Sequence, residues 1–181
     1  MVLCTASSLR TSASSLGPTH VGPVCTDYYF FTFTRDPIKR FFSGYLQNLV
    51  EKRRVHKSSL YTYEAVSEQL SRIEDRSCGF NVHLESMTMS LSSPVMRPGS
   101  MVPMDFIGDI SQLVPGFFAM LKAAGRTLAP ELESRVRKLL AAVETHGLAH
   151  SSARLAHVRN ASLDARVREV YAQDFVCFGY K

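Results

Sequence analysis

Between Tyr28 and Arg54 the chain runs through an uncharged aromatic stretch, an arginine, a helix-capping pair and an amphipathic helix in direct succession. No other stretch restricts the fold as tightly. Tyr28-Tyr29-Phe30-Phe31-Thr32-Phe33-Thr34 holds only aromatic and β-branched residues, a composition that favours a strand covered on both faces, as in the interior of an α/β sheet. Arg35 ends the strand. Asp36 is a preferred N-cap, and Pro37 suits the first helical position, where its missing N–H would have no intrahelical partner. From there Ile38, Phe41, Phe42, Tyr45 and Leu49 recur at spacings of three and four, with Lys39, Ser43 and Gln47 on a separate polar line. One side of this predicted helix packs and the other is free to meet a ligand.

Open α/β sheets bind ligands beyond the carboxyl ends of their strands, where helix N-termini add unpaired N–H groups and partial positive charge. Arg35 falls at that edge. Its guanidinium fork suits a phosphate, and Ser43, two turns into the helix, can add a hydroxyl donor; the plainer alternatives are an ion pair at Arg35 and an ordinary surface serine at Ser43. The whole string Arg35-Asp36-Pro37-x-x-Arg40-x-x-Ser43-x-Tyr45 closely resembles the 3′-phosphate-binding motif of sulfotransferases that use 3′-phosphoadenosine-5′-phosphosulfate. The resemblance is closest to the Golgi carbohydrate sulfotransferases, of sulfotransferase family 2 type. It implies that Arg35 and Ser43 hold the 3′-phosphate of the nucleotide donor, that the acceptor is a glycan, and that the chain acts in the Golgi lumen or at the Golgi membrane.

At 181 residues the chain is long enough for one domain with a sizeable core, expected over residues 27–181 after a poorly ordered Ser/Thr-rich start at 1–26. The formal net charge of +5 suits an anionic ligand such as a nucleotide or sulfated glycan, and also weak non-specific nucleic-acid binding. Four cysteines, Cys4, Cys25, Cys78 and Cys177, show no zinc-ligand spacing, so no metal is expected. They could pair in a secretory compartment or stay reduced, and the sequence leaves both open. No run approaches the roughly 20 apolar residues that span a bilayer, and no membrane segment or targeting signal is visible.

Within the opening stretch, Cys4-Thr5-Ala6-Ser7-Ser8-Leu9-Arg10 resembles the family's 5′-phosphosulfate loop only in its small and hydroxyl residues; the loop's lysine is missing. On this reading the chain binds the nucleotide better than it transfers sulfate. The run Glu51 to Lys57 reads as a solvated basic helix end. Thr62 can cap a second helix with Tyr63, Val66, Leu70 and Ile73 on one face, ending near Arg76 to Gly79. Asn81 to Met89 resembles a family segment of the form His-x-x-x-Gln followed by a hydroxyl residue, with Met87 where the glutamine is expected. His83 is the candidate catalytic base, because transfer to a hydroxyl benefits from a group titrating near neutrality, and Glu85 is its competitor.

Ser92 to Pro103 reads as a loop. Met104 to Asp109 reads as a short buried strand that resembles the family's Asp-Phe-Ile-Gly strand, with Asp105 structural, followed by a helix around Pro115 to Ala124 that Gly125 closes. A further helix is predicted from Pro130 to Gly147, with Leu132, Val136, Leu139, Leu140 and Val143 packed and its basic residues solvated. His146, His150 and His157 read as surface residues. Ser162 is expected to cap a last helix that turns Val167, Val170 and Tyr171 inward, and Tyr171 to Tyr180 resembles the family's Asp-Phe-x-x-Phe-Gly-Tyr ending, a packing motif. Together these imply an α/β chain with a partial P-loop nucleotide-kinase-like sulfotransferase fold in which helices outnumber strands. The rival readings are a non-catalytic relative that keeps the nucleotide 3′-phosphate or a sulfated glycan, and a basic nucleic-acid-binding module; the latter is disfavoured because the aromatics lie in core-like runs rather than among Lys and Arg.

Overall fold

The computed structural model describes residues 28–51, 57–75, 83–92 and 101–181, side chains at 51 and 144–153 excepted. The N-terminal segment, Cys4, Cys25, Cys78, the core of the basic run with His56, and most of the Ser92 to Pro103 loop lie outside these residues. The described elements are β1 (Phe31–Thr34), α1 (Pro37–Glu51), α2 (Tyr63–Glu74), α3 (Met87–Ser90), β2 (Phe106–Asp109), α4 (Leu113–Ala123), α5 (Pro130–Arg154), α6 (Ala161–Val170) and α7 (Ala172–Phe178), with single 3-10 turns at Ser58–Leu60 and Ile110–Gln112. This is the α/β arrangement with excess helix that the sequence implies. Among the described residues, no helix is long and apolar enough to cross a membrane.

β1 and β2 pair in parallel, with Phe31 opposite Phe106 and Thr34 opposite Asp109. The aromatic run does not form the interior strand expected of it. Its regular part is Phe31–Thr34 alone, Phe30 and Phe31 are each 49% exposed, and Ile107 of β2 is 45% exposed. A strand is buried on both faces only with neighbours and layers on every side, and among the described residues β2 is the single strand beside β1. The inner face is tight nonetheless: a Cβ at Gly108 would lie 2.6 Å from the Phe33 ring, so the ring rests on bare β2 backbone. Asp105 is structural as expected, its carboxylate and backbone N–H both engaging Phe30 at the entry to the pair.

The core lies on the helical side. α1 contributes Ile38, Phe41, Phe42, Tyr45 and Leu49, all the apolar positions its periodicity singles out. Val66 and Leu70 of α2 and Leu163 and Val167 of α6 are completely buried against it, each side chain adding about 1.5–3 kcal/mol of burial. Thr62 caps α2 by accepting from the Ala65 N–H at 3.3 Å, but the helix stops at Glu74 and Tyr63 stays outside the core. α6 begins earlier than expected, with Asn160 rather than Ser162 as its cap: Asn160 Oδ1 accepts from the Leu163 N–H at 2.9 Å. That start seats Leu163 in the core and leaves Ser162 on the surface.

α5 departs most from expectation. It continues through Gly147 to Arg154, since an interior glycine costs a helix only about 1 kcal/mol. Its apolar stripe is largely open, with Leu132, Leu139 and Val143 at 46%, 66% and 51% exposure. The helix packs instead through the half-buried Val136 and Leu140, and Arg137 lies over the Phe118 ring at 3.8 Å while pairing with Glu133. One of its basic residues therefore packs.

Tyr45 ties α1 to the chain that follows it, donating to the Leu60 carbonyl at 2.6 Å, and burial pushes its phenol up to about 12. A phenol whose folded pKa is raised contributes stability that is whole below its unfolded value of about 10 and is lost as pH climbs towards the folded one. Tyr45→Phe is expected to cost about 1 kcal/mol at neutral pH. In denaturant unfolding the gap between wild type and variant should narrow above about pH 10; a gap constant with pH would contradict the buried, hydrogen-bonded phenol.

Candidate functional site

The polar line of α1 opens on a cleft of about 270 Å³ lined by Arg35, Arg40, Ser43, Gly44, Gln47 and His83. Two local features place the first of these. Thr34, the last residue of β1, is buried, and its hydroxyl donates to the Gly108 carbonyl at 3.2 Å and lies 2.9 Å from the Tyr180 hydroxyl, so the strand end is pinned. Asp36 then caps α1, taking the Lys39 N–H on Oδ1 at 2.9 Å and the Arg40 N–H on its backbone carbonyl at 2.8 Å. Arg35 is held between them, at the carboxyl end of β1. Arg40 and Ser43 follow along the face of α1 that the apolar stripe leaves free.

Both arginines are charged and poorly solvated. Among the described residues Arg35 makes no ion pair, and its Nε is buried and without a hydrogen-bond partner. Burial lowers the pKa of the guanidinium, and the adjacent Asp36 offsets this in part. Arg40 is likewise lowered by burial, against the raising influence of Asp174, Tyr171 and Glu85, and its Nη1 donates to the Glu85 carbonyl. A buried donor left unpaired costs about 1–3 kcal/mol, more when charged. Two partly desolvated guanidiniums beside a serine hydroxyl are chemically suited to an oxyanion with several acceptor atoms, such as a phosphate.

The side of the cleft away from α1 is lined by His83, and the segment from His83 to Ser90 that carries it is held by Gly44, Ser86 and Asp174, which sequence reasoning did not single out, and by Tyr171, expected only to pack inward. Gly44 allows the approach: a Cβ on it would sit 2.0 Å from the His83 carbonyl oxygen. The Tyr171 hydroxyl donates to the Leu84 carbonyl at 2.5 Å. Asp174, fully buried, accepts from the Met87 N–H at 2.8 Å, the Thr88 N–H at 2.9 Å and the Thr88 hydroxyl at 2.8 Å. Ser86 caps α3 from within. So fixed, His83 lines the cleft with Arg35 and Ser43, which brings all three predicted site residues together. Glu85 does not line it; its carboxylate accepts from Ser90. Met87, at the position of the expected glutamine, is buried and offers the cleft no polar group. The missed signals were a glycine inside a helical pattern and a carboxylate inside an aromatic ending, both costly unless their surroundings require them.

A family model described as "Sulfotransferase family" matches residues 7–181, a span that takes in every described element. No curated protein and no solved structure matches the chain.

Helix propensity alone makes glycine to alanine in a helix interior a gain of about 1 kcal/mol. At Gly44 the close approach of His83 backbone reverses the sign: Gly44→Ala should destabilise by about 1–3 kcal/mol, the usual penalty of overpacking. It should also alter the environment of His83. Thermal unfolding together with the His83 imidazole resonances checks both, and a stabilised variant with an unchanged His83 would contradict the contact.

Proposed function

The chain belongs to the sulfotransferase family, and we propose that its cleft receives the 3′-phosphate end of 3′-phosphoadenosine-5′-phosphosulfate for sulfuryl transfer to a carbohydrate hydroxyl. The observation that carries the reading is that Arg35, whose buried Nε has no hydrogen-bond partner among the described residues, lines a cleft with Ser43 and Arg40. A 3′-phosphate fits that donor set. The nucleotide, when bound, supplies an activated sulfuryl group. The residues seen here do the holding: Arg35 gives the charge-assisted contact, the Ser43 hydroxyl adds a donor, and Arg40, fixed by the Glu85 carbonyl, raises the local positive potential. His83 stands at the opposite wall, where its imidazole can take the proton of an acceptor hydroxyl.

The carbohydrate acceptor and a Golgi setting rest on the motif from Arg35 to Tyr45. Cys177 is disulfide-bonded, which supports an oxidising lumen, where disulfides persist. A second reading, nucleotide retention without transfer, is favoured by the buried Met87 in place of a polar side chain. An isotope-transfer assay over a glycan panel separates the two: turnover supports transfer, and nucleotide binding without turnover supports retention.

For either reading the affinity for adenosine 3′,5′-bisphosphate should depend on Arg35. Arg35→Ala is expected to weaken it by about 2 kcal/mol, roughly thirtyfold in Kd, and Ser43→Ala by about 1 kcal/mol. Adenosine 5′-phosphate, which lacks the 3′ group, should respond to neither change. Equal calorimetric affinities of wild type and Arg35→Ala for the bisphosphate would overturn the assignment.

A further inference from the structure

The chain contains three asparagines, and only Asn160 begins an Asn-x-Ser/Thr triplet, Asn160-Ala161-Ser162. Such a triplet is the acceptor for N-linked glycosylation where the chain meets a secretory lumen and the asparagine can be reached. Most of what decides whether the site is usable is visible here. All three residues are exposed. The turn that carries them is well built, with the Val158 and Arg159 N–H groups both on the Leu155 carbonyl and Arg159 paired to Asp164 at 2.8 Å, so Asn160 is presented from a fixed position. Its backbone is extended, with φ −148° and ψ 171°.

The side chain adds a chemical point. Asn160 caps α6 through Oδ1, which accepts the Leu163 N–H, while Nδ2 has no hydrogen-bond partner among the described residues. Glycosylation takes place at Nδ2 and leaves Oδ1 an amide oxygen. A glycan and the helix cap can therefore occupy one asparagine at the same time, with no loss of the bond that starts α6 and seats Leu163 in the core. By contrast Asn48 is buried and is not followed by the required hydroxyl residue.

From this geometry we infer that Asn160 is the attachment site of an N-linked glycan when the chain occupies the secretory lumen. The inference rests on the luminal part of the proposed function. In the reaction Asn160 Nδ2 forms a bond to the anomeric carbon of a lipid-pyrophosphate-linked oligosaccharide; the bond from that carbon to the pyrophosphate oxygen breaks, the lipid pyrophosphate leaves, and the amide proton is lost to solvent. No electron transfer is involved.

The structure also supplies variants that remove the acceptor without removing the cap. Ser162→Ala destroys the triplet at an exposed helical position and keeps Asn160. Asn160→Asp keeps an Oδ acceptor for the Leu163 N–H and loses Nδ2. Ser162→Thr keeps the triplet. The full chain, behind a cleavable signal sequence, would be translated in the presence of microsomes, with translocation read by protease protection and glycosylation by an endoglycosidase-sensitive mobility step. Protected wild type and Ser162→Thr should each show one such step, and protected Ser162→Ala and Asn160→Asp none. A protected wild-type chain without the step, or a step that persists in Ser162→Ala, would overturn the inference. The same chain without the added signal tests the luminal reading separately, and nucleotide calorimetry on the unglycosylated chain tests the cleft, so the failure of one is not mistaken for failure of the others.

Discussion

The junction at Asp36-Pro37 decides where β1 ends and α1 begins, and the cleft depends on it. Were the helix to start one residue later, Ser43 and Arg40 would rotate by about 100° around α1 relative to Arg35 and the polar line would no longer face one ligand. The Asp36 cap, taking the Lys39 N–H while its backbone carbonyl takes that of Arg40, fixes the phase. Thr34 fixes the strand end through Gly108 and Tyr180. Between these anchors Arg35 lines the cleft with a buried Nε that has no hydrogen-bond partner among the described residues. Such an arrangement is unfavourable by itself and is sensible as a binding site, where the ligand satisfies the donor.

The second wall draws on the far end of the chain. Tyr171 and Asp174 reach the segment His83 to Ser90 across 86 and 87 residues of sequence, and their hydrogen bonds set its height above α1. Asp174 also raises the pKa of Arg40, so one buried carboxylate holds the wall and offsets part of the charge of the cleft. The aromatic ending is thus a packing element with a direct effect on the site.

Much of this was legible because local rules and tertiary structure agree. The cap at Asp36, the apolar stripe of α1 and the polar line carrying Ser43 follow from spacing alone, and His83 was found through a resemblance in its segment. Other features were hidden for physical reasons. The exposure of Phe30 and Phe31 reflects which neighbours surround the strand, which an aromatic run cannot encode. α5 passes through Gly147 because a glycine weakens a long helix without breaking it, and its half-open stripe depends on how many partners it meets. Asn160 and Ser162 are both good caps, and only the burial of Leu163 chooses between them. Gly44 and Asp174 matter through contacts made by residues distant in sequence, and a single sequence shows such contacts only as local oddities.

The most direct test of the central claim is a crystal structure of the chain with adenosine 3′,5′-bisphosphate. The account predicts the 3′-phosphate within hydrogen-bond distance of Arg35 Nε and the Ser43 hydroxyl, with His83 on the facing wall. A phosphate bound elsewhere, or Arg35 paired to a carboxylate of the protein while the nucleotide is bound, would contradict it.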